Sequence, residues 1–468
     1  MKNKIHNITT KPYTRWWWFS GEIEKPVIDE QLSWLHENGF GGVEISWVYP
    51  KEGTKPEEGP KFLDSYWIEL VAYTLQRCKD LNLFCDLTLG SLWPLGGSFL
   101  PSNYASKTFK GLSEQRLSKS WESRYLSKPS FVLDHLNKEA VEFYFSYFLD
   151  HGFSQFAKTD TISFFCDSIE VDTNMLAYTG FLEEYKAVFF EEFSPYIDCL
   201  DDYPLVRYNY RKLISNHFIK DFFSTYVQQC HSVGVIARMQ CHGALTNLLD
   251  AYALIDIPES EVMLFDPKFA LIPSSAAAIA QKKIVSSESF SCMYGWNKHP
   301  GPAPYIKQEE ALDIKCVADA QFAFGVNHVV WHGMPFGSAS GNPEFYASIH
   351  VGPGGTLETH FKKLNEYLST IGTAMRLGEP FSRLAVYFPI EDQWMQNEVP
   401  EHLKKPSSEY YWECQELSMP EKVSAFRPLW ISSDMLRQAS VSNEGELVCG
   451  GRFLMDSIAL PIGWRKIA

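Results

Sequence analysis

No stretch of this chain reaches the roughly 18 uninterrupted apolar residues that a membrane span needs, so no membrane partner is expected. Residues 1–13 are polar and lack the apolar segment of a secretory signal, which predicts a cytoplasmic location. An excess of positive charge is also missing. Asp and Glu number 57 against 42 Lys and Arg, a formal net charge of -15. Nucleic-acid phosphates would be repelled by that balance, whereas a neutral or cationic ligand would not. None of the ten cysteines stands in a CxxC pair or a zinc-type array. Cys85, Cys166 and Cys316 sit in apolar runs, where a thiol behaves as a small hydrophobe, and buried thiols in a reducing compartment are expected. There is no GxSxG elbow, HExxH, EF-hand loop, P-loop or GxGxxG turn.

What is present is a repeating order of elements. Helical spacing over 29–38 stops at Gly39, and 41–46 reads as a strand. Helices over 67–81, 138–156 and 211–232 lead into apolar runs at 83–89, 161–166 and 234–239. Shorter helices precede runs at 254–257 and 284–287, and a helix over 309–324 leads into 326–331. With an opening run at 15–19, eight strands alternate with helices across residues 1–380. That order predicts a (β/α)8 barrel, with an open doubly wound sheet as the alternative. Long loops at 96–130 and 290–307 fall on the face where barrel enzymes carry their sites. From 381 to 468 the pattern changes to a strand at 383–389, a polar stretch over 390–427, a short helix at 434–438 and an apolar run at 453–461. This predicts part of a second, flavodoxin-like α/β domain cut from a longer parent.

In this register the strand ends carry Trp18, Glu44, Trp93, Asp167 with Glu170, Gln240 with His242, Glu259 with Glu261, Glu288, and His332. Acids converging on one face, with Trp and His among them, suit glycosidic-bond hydrolysis. One carboxylic acid protonates the leaving oxygen, and one carboxylate attacks or activates water. Trp18, Trp93, His242 and His332 are the candidate sugar-holding surface. Structural roles suit the same residues. Glu170 fits a helix cap, and Glu288 fits an ion pair with Arg238. Glu259 and Glu261 fit loop anchors, and the histidines fit a satisfied core. Trp16, Trp17 and Trp18 cannot all face one way on a strand, so at least one packs outward.

Several strings taken together resemble glycoside hydrolase family 106, the α-L-rhamnosidase family. They are RWWWF at 15–19, GFGGVEI at 39–45, GSLWPLGG at 90–97, LNKEAV at 136–141, DSIE at 167–170, IPESE at 257–261, SES at 287–289 and GVNHVVWHG at 325–333. The resemblance implies an inverting hydrolase of terminal α-L-rhamnosides, often helped by calcium. By the same resemblance Glu170 would be the general acid and Glu288 the general base. Glu261 would contact sugar or metal, and Glu44, Glu259 and Glu261 are the candidate calcium ligands. The rival readings are a retaining β-glycosidase of a related barrel clan and a carbohydrate-binding barrel without turnover. No organic cofactor is expected, and the partner implied is an oligosaccharide or glycoside.

Overall fold

The structure, a computed structural model, describes residues 2–21, 23–50, 59–89, 93–111, 113–118, 120, 122–123, 128–158, 163–171, 173, 175–243, 245–262, 267–291, 293–296, 299–300, 308–337, 347, 349–395, 419–450, 453–455 and 457–459. Eight strands, β1 (Tyr13–Phe19), β2 (Gly42–Val48), β3 (Phe84–Thr88), β4 (Ser163–Cys166), β5 (Ile236–Met239), β6 (Ile257–Val262), β7 (Ser286–Ser289) and β8 (His328–Pro335), pair in that order. Every pairing is parallel, and β8 returns to β1, closing the barrel. Helices α1 (Lys25–Glu37), α2 (Ser65–Asp80), α3 (Lys138–Phe148), α4 (Pro204–His217), α5 (Leu248–Leu254), α6 (Leu271–Ile279), α7 (Ala311–Ala323) and α8 (Phe361–Leu377) follow the strands in turn. The chain is therefore a (β/α)8 barrel.

Local chemistry explains the helices. Asp64 caps α2 by accepting from the Trp67 backbone N–H at 2.7 Å. Trp67, Leu70, Val71, Leu75 and Cys78 then bury one face at helical spacing. The helix expected over 138–156 is α3 continued through a π-turn at Leu149–Phe153, where Gly152 has a positive φ of 115°. The helix expected over 211–232 begins earlier, at Pro204, and runs through another π segment to Ser232.

The interior is layered by the two-residue period of the strands. Tyr13, Phe84, Ile236, Ile257, Ile284 and Val330 plug the lower end. One step up come Arg15, Glu44, Asp86, Phe165, Arg238 and Glu259, all buried. The next step carries Trp17, Asp167, Gln240, Glu261, Glu288 and His332 at the C-terminal mouth. Barrel cores are ordinarily filled by Val, Ile and Leu. Here the middle layer is charged.

The sixth strand departs from expectation. The apolar run at 254–257 predicts that strand, but Leu254 ends α5 and the strand is Ile257–Val262. Its inward positions hold Glu259 and Glu261, so it lacks the apolar signature. Cys316 also differs: it is exposed on α7, while Cys85 and Cys166 are buried. The loop at 96–130 forms small antiparallel ribbons with Phe131–Val132 and Leu176–Ala177. Residues 90–92 and most of 290–307 lie outside the described residues. Beyond the barrel, Leu384–Tyr387 lies between Leu429–Ile431 and Ser457–Ala459 in a small parallel sheet. It is tied to the barrel where the Trp430 N–H donates to Ser275 Oγ at 3.0 Å. Among the described residues no helix is long and apolar enough to cross a membrane.

Candidate active site

Two arginines organise the charged layers. Arg15 approaches Glu44 (Nε–Oε1 3.1 Å), Asp167 (Nη1–Oδ2 3.0 Å), Glu259 (Nη2–Oε1 3.2 Å) and Glu288 (Nη1–Oε2 2.5 Å). Arg238 pairs with Glu44 and Glu259 and lies 3.4 Å from Asp86. Both guanidinium groups face the Phe165 ring, at 4.5 and 4.3 Å from its centroid. Six carboxyl groups, including Glu261, thus gather round two cations. Burial and the neighbouring acids favour retention of protons in such a cluster. Burial raises the Asp86 carboxyl to about 6, with Arg238 opposing, and the Asp167 carboxyl to about 7, with Arg15 opposing. Burial also lifts Glu288 well above its ordinary range, against the pull of Arg15 and with Asp167, Glu261 and Glu259 adding to the rise.

Glu288 has a distinct setting. Its Oε2 accepts from both Arg15 and Gln240 Nε2, the latter at 2.7 Å. Its Oε1 lies 3.6 Å from His332 Nε2, too far for a hydrogen bond. Burial and then Arg15 push the His332 imidazole down to about 3, so the ring is neutral near pH 7. Arg15, not Arg238, is thus the ion-pair partner of Glu288.

Glu170 follows β4 on a backbone that L-residues rarely adopt, with φ 47°. Its Oε1 accepts from Ser168 Oγ at 2.9 Å, and the neighbouring Ile169 N–H donates to His242 O at 3.0 Å. Glu170 therefore belongs to a braced turn and caps none of the described helices. Gly243 makes the brace possible. Its φ is +76°, and a Cβ there would lie 3.0 Å from the Glu170 nitrogen. Gly243→Ala is expected to lower stability by about 1–3 kcal/mol and to displace Glu170. Urea unfolding of this variant beside wild type checks it, and an unchanged midpoint would show that the turn is not constrained.

The aromatic residues divide by strand parity. Trp16 and Trp18 face the helices. Trp16 Nε1 donates to Gln31 of α1 at 2.9 Å, and Trp18 packs edge-on to it at 5.5 Å. The expectation that Trp18 lines the pocket is corrected, because the period of two sends its neighbour Trp17 inward instead. Trp17 lies 5.2 Å from the His332 ring and 6.2 Å from Trp93. Its indole N–H donates to His332 O at 2.7 Å. Gly333 permits this approach, since a Cβ would stand 2.0 Å from that nitrogen. Trp93, half-buried, thus joins Trp17 and His332 in one wall. His242 differs from expectation: it is fully buried, between Tyr252 OH and Glu261 Oε2, each at 3.2 Å. It braces Glu261.

Glu44 is likewise buried beneath the mouth rather than on its wall, with Thr88 Oγ1 donating to it at 3.0 Å. Glu44 and Glu259 are both engaged by the two arginines, and Glu259 also accepts from Ser286 Oγ at 2.8 Å. Oxygens so committed to cations do not fit a calcium cage. Among the described residues no group of three or more His, Cys, Asp and Glu side chains is gathered to hold a metal. The site also uses Arg15 and Trp17, which the sequence alone does not single out, and Asp167 and Gln240, which stand at strand ends in the sequence without an assigned role. Their signal is parity: each lies two positions beyond an inward residue of its own strand.

No family model matches the sequence, and no curated protein matches it. Solved structures do share the fold. A rhamnosidase from Novosphingobium sp. PP1Y superposes with a TM-score of 0.74 at 11% identity, covering 98% of this chain and 67% of its own. A β-galactosidase from the haloarchaeon Halorubrum lacusprofundi gives 0.54 at 10% identity, covering 86% and 64%. The GH5_18 protein of Bifidobacterium longum gives 0.50 at 10% identity, covering 97% of each. This chain spans about two thirds of the length of the first two. At such identities the likeness is one of fold.

Proposed function

We propose that this protein is a glycoside hydrolase that inverts configuration while releasing a terminal α-L-rhamnosyl or related deoxyhexosyl unit. The observation that carries the reading is Glu288. It is buried at the mouth with one oxygen held by Arg15 and Gln240 and the other turned toward the wall of His332, Trp17 and Trp93. In the reaction Glu170 gives its proton to the glycosidic oxygen as the bond from that oxygen to the anomeric carbon breaks. Water attacks the same carbon from the opposite face, and Glu288 takes the water proton. Glu261, braced by His242, is a substrate contact at the rim. The aromatic wall suits the apolar methyl edge of a deoxyhexose.

The test is a panel of aryl glycosides, α-L-rhamnoside and β-galactoside among them, with the first-formed anomer read by proton NMR. Inverted L-rhamnose supports the reading. A retained product would favour a β-glycosidase that uses Glu288 as nucleophile, and no turnover on any glycoside would favour a binding barrel. Trp93→Ala is expected to raise KM more than it lowers kcat, since an indole platform holds ground and transition states alike. Steady-state kinetics on the best aryl glycoside checks this, and an unchanged KM would remove Trp93 from the sugar site.

A further inference from the structure

A base must be anionic, yet Glu288 stands in a crowd of acids. We propose that Asp167 is a positioning residue that holds the site's shared proton, so that Glu288 remains the anion on Arg15. One nitrogen of Arg15, Nη1, reaches both carboxylates, and the contacts are unequal. It lies 2.5 Å from Glu288 Oε2 and 3.0 Å from Asp167 Oδ2. Glu288 Oε2 receives a second donor from Gln240 at 2.7 Å, while among the described residues Asp167 accepts, besides Arg15, its neighbouring Ser168 N–H at 2.9 Å. Two donors converging on one oxygen, one of them charged, favour ionisation there.

Burial and the facing acids raise both carboxyls, Glu288 well above its ordinary range, so the donors on each oxygen decide between them. Toward Asp167 stand Arg15 on β1, Glu44 on β2 and Glu261 on β6. Toward Glu288 stand Arg15, Asp167, Glu259 and Glu261, with the neutral His332 on β8. Arg238 on β5 is occupied one layer below by Glu44 and Glu259. Among the described residues Arg15 is the cation that both carboxyls share, and burial raises the Asp167 carboxyl to about 7, with Arg15 opposing. Two like charges sharing one counter-ion do not both ionise readily, and the proton goes to the one whose oxygens receive the weaker set of side-chain donors, here Asp167.

This inference rests on Glu288 reacting as a base, but its test reads the proton and not turnover. Infrared difference spectra between wild type and Asp167→Asn at pH 6 should contain the carbonyl band of a protonated acid. Carboxyl-13C aspartate should shift that band, and carboxyl-13C glutamate should leave it in place. A band that follows the glutamate label puts the proton on Glu288, and absence of any acid band means that no proton is shared. Either result overturns the proposal. Should Asp167→Asn fail to fold, Gln240→Met serves: losing one donor on Glu288 should move the proton toward it, and a glutamate-labelled band should grow. An unchanged spectrum there would overturn the proposal as well.

Discussion

Glu170→Gln and Glu288→Gln should each lower turnover of an unactivated glycoside by about 10² to 10⁴, the usual cost of losing a general acid or base. Folding should survive both changes. Glu288 is one of six carboxyl groups round two cations, so a neutral amide in its place relieves repulsion while keeping an acceptor for Arg15 and Gln240. The two variants should part on leaving-group quality. An aryl leaving group such as nitrophenolate needs little protonation, so Glu170→Gln should recover much of its loss on that substrate. Glu288→Gln should not, because attack by water is impaired whatever departs. The measurement is kcat/KM for an alkyl and a nitrophenyl glycoside in wild type and both variants, with thermal melts to show that each is folded. Near-wild-type turnover of the alkyl glycoside by either variant would remove that residue from the chemistry. Equal recovery of both variants on the nitrophenyl substrate would refute the division of roles.

How much of this was legible before the structure depends on what each strand buries. β2 to β5 stood out because their helix-facing positions, such as Val43, Cys85, Phe164 and Ala237, are apolar and come directly after a stretch of helical period. β6 did not, because Glu259 and Glu261 occupy inward positions and the apolar run just before it belongs to α5. Parity decided the aromatics. A row of three tryptophans shows that neighbours point opposite ways without saying which is inside, whereas the charge on Arg15 fixes the parity of β1 once the strand is known to line a barrel of acids. Partners across the barrel were out of reach of sequence. Glu288 meets Arg15 on β1 and not Arg238 on β5, because the closed cylinder brings together residues 273 positions apart. The same closure turned Glu44 from a candidate ligand into a buried member of the charged layer.

That layer makes Arg238 the residue whose loss should cost most in stability. Arg238→Met removes the cation that holds Glu44 and Glu259 and faces Asp86, leaving buried carboxylates short of a counter-ion. Breaking a buried network from one side typically costs about 3–5 kcal/mol, and that is the loss expected at pH 8. The loss should shrink toward pH 5. Asp86 already titrates at about 6 in the fold, above the ordinary carboxylate range, because burial outweighs the pull of Arg238. Between its unfolded and folded values the native state binds more protons than the unfolded chain, so this group's contribution falls as pH rises through that window. Without Arg238 the folded value climbs further, the window widens upward, and protonation at pH 5 replaces the missing cation. Urea unfolding at both pH values reads this directly. Adding Glu44→Gln should return part of the stability at pH 8, since Thr88 can still donate to the amide oxygen and one buried charge is gone. A penalty under about 1 kcal/mol at pH 8, or one that does not change with pH, would mean that the charged layer is not what holds this barrel together.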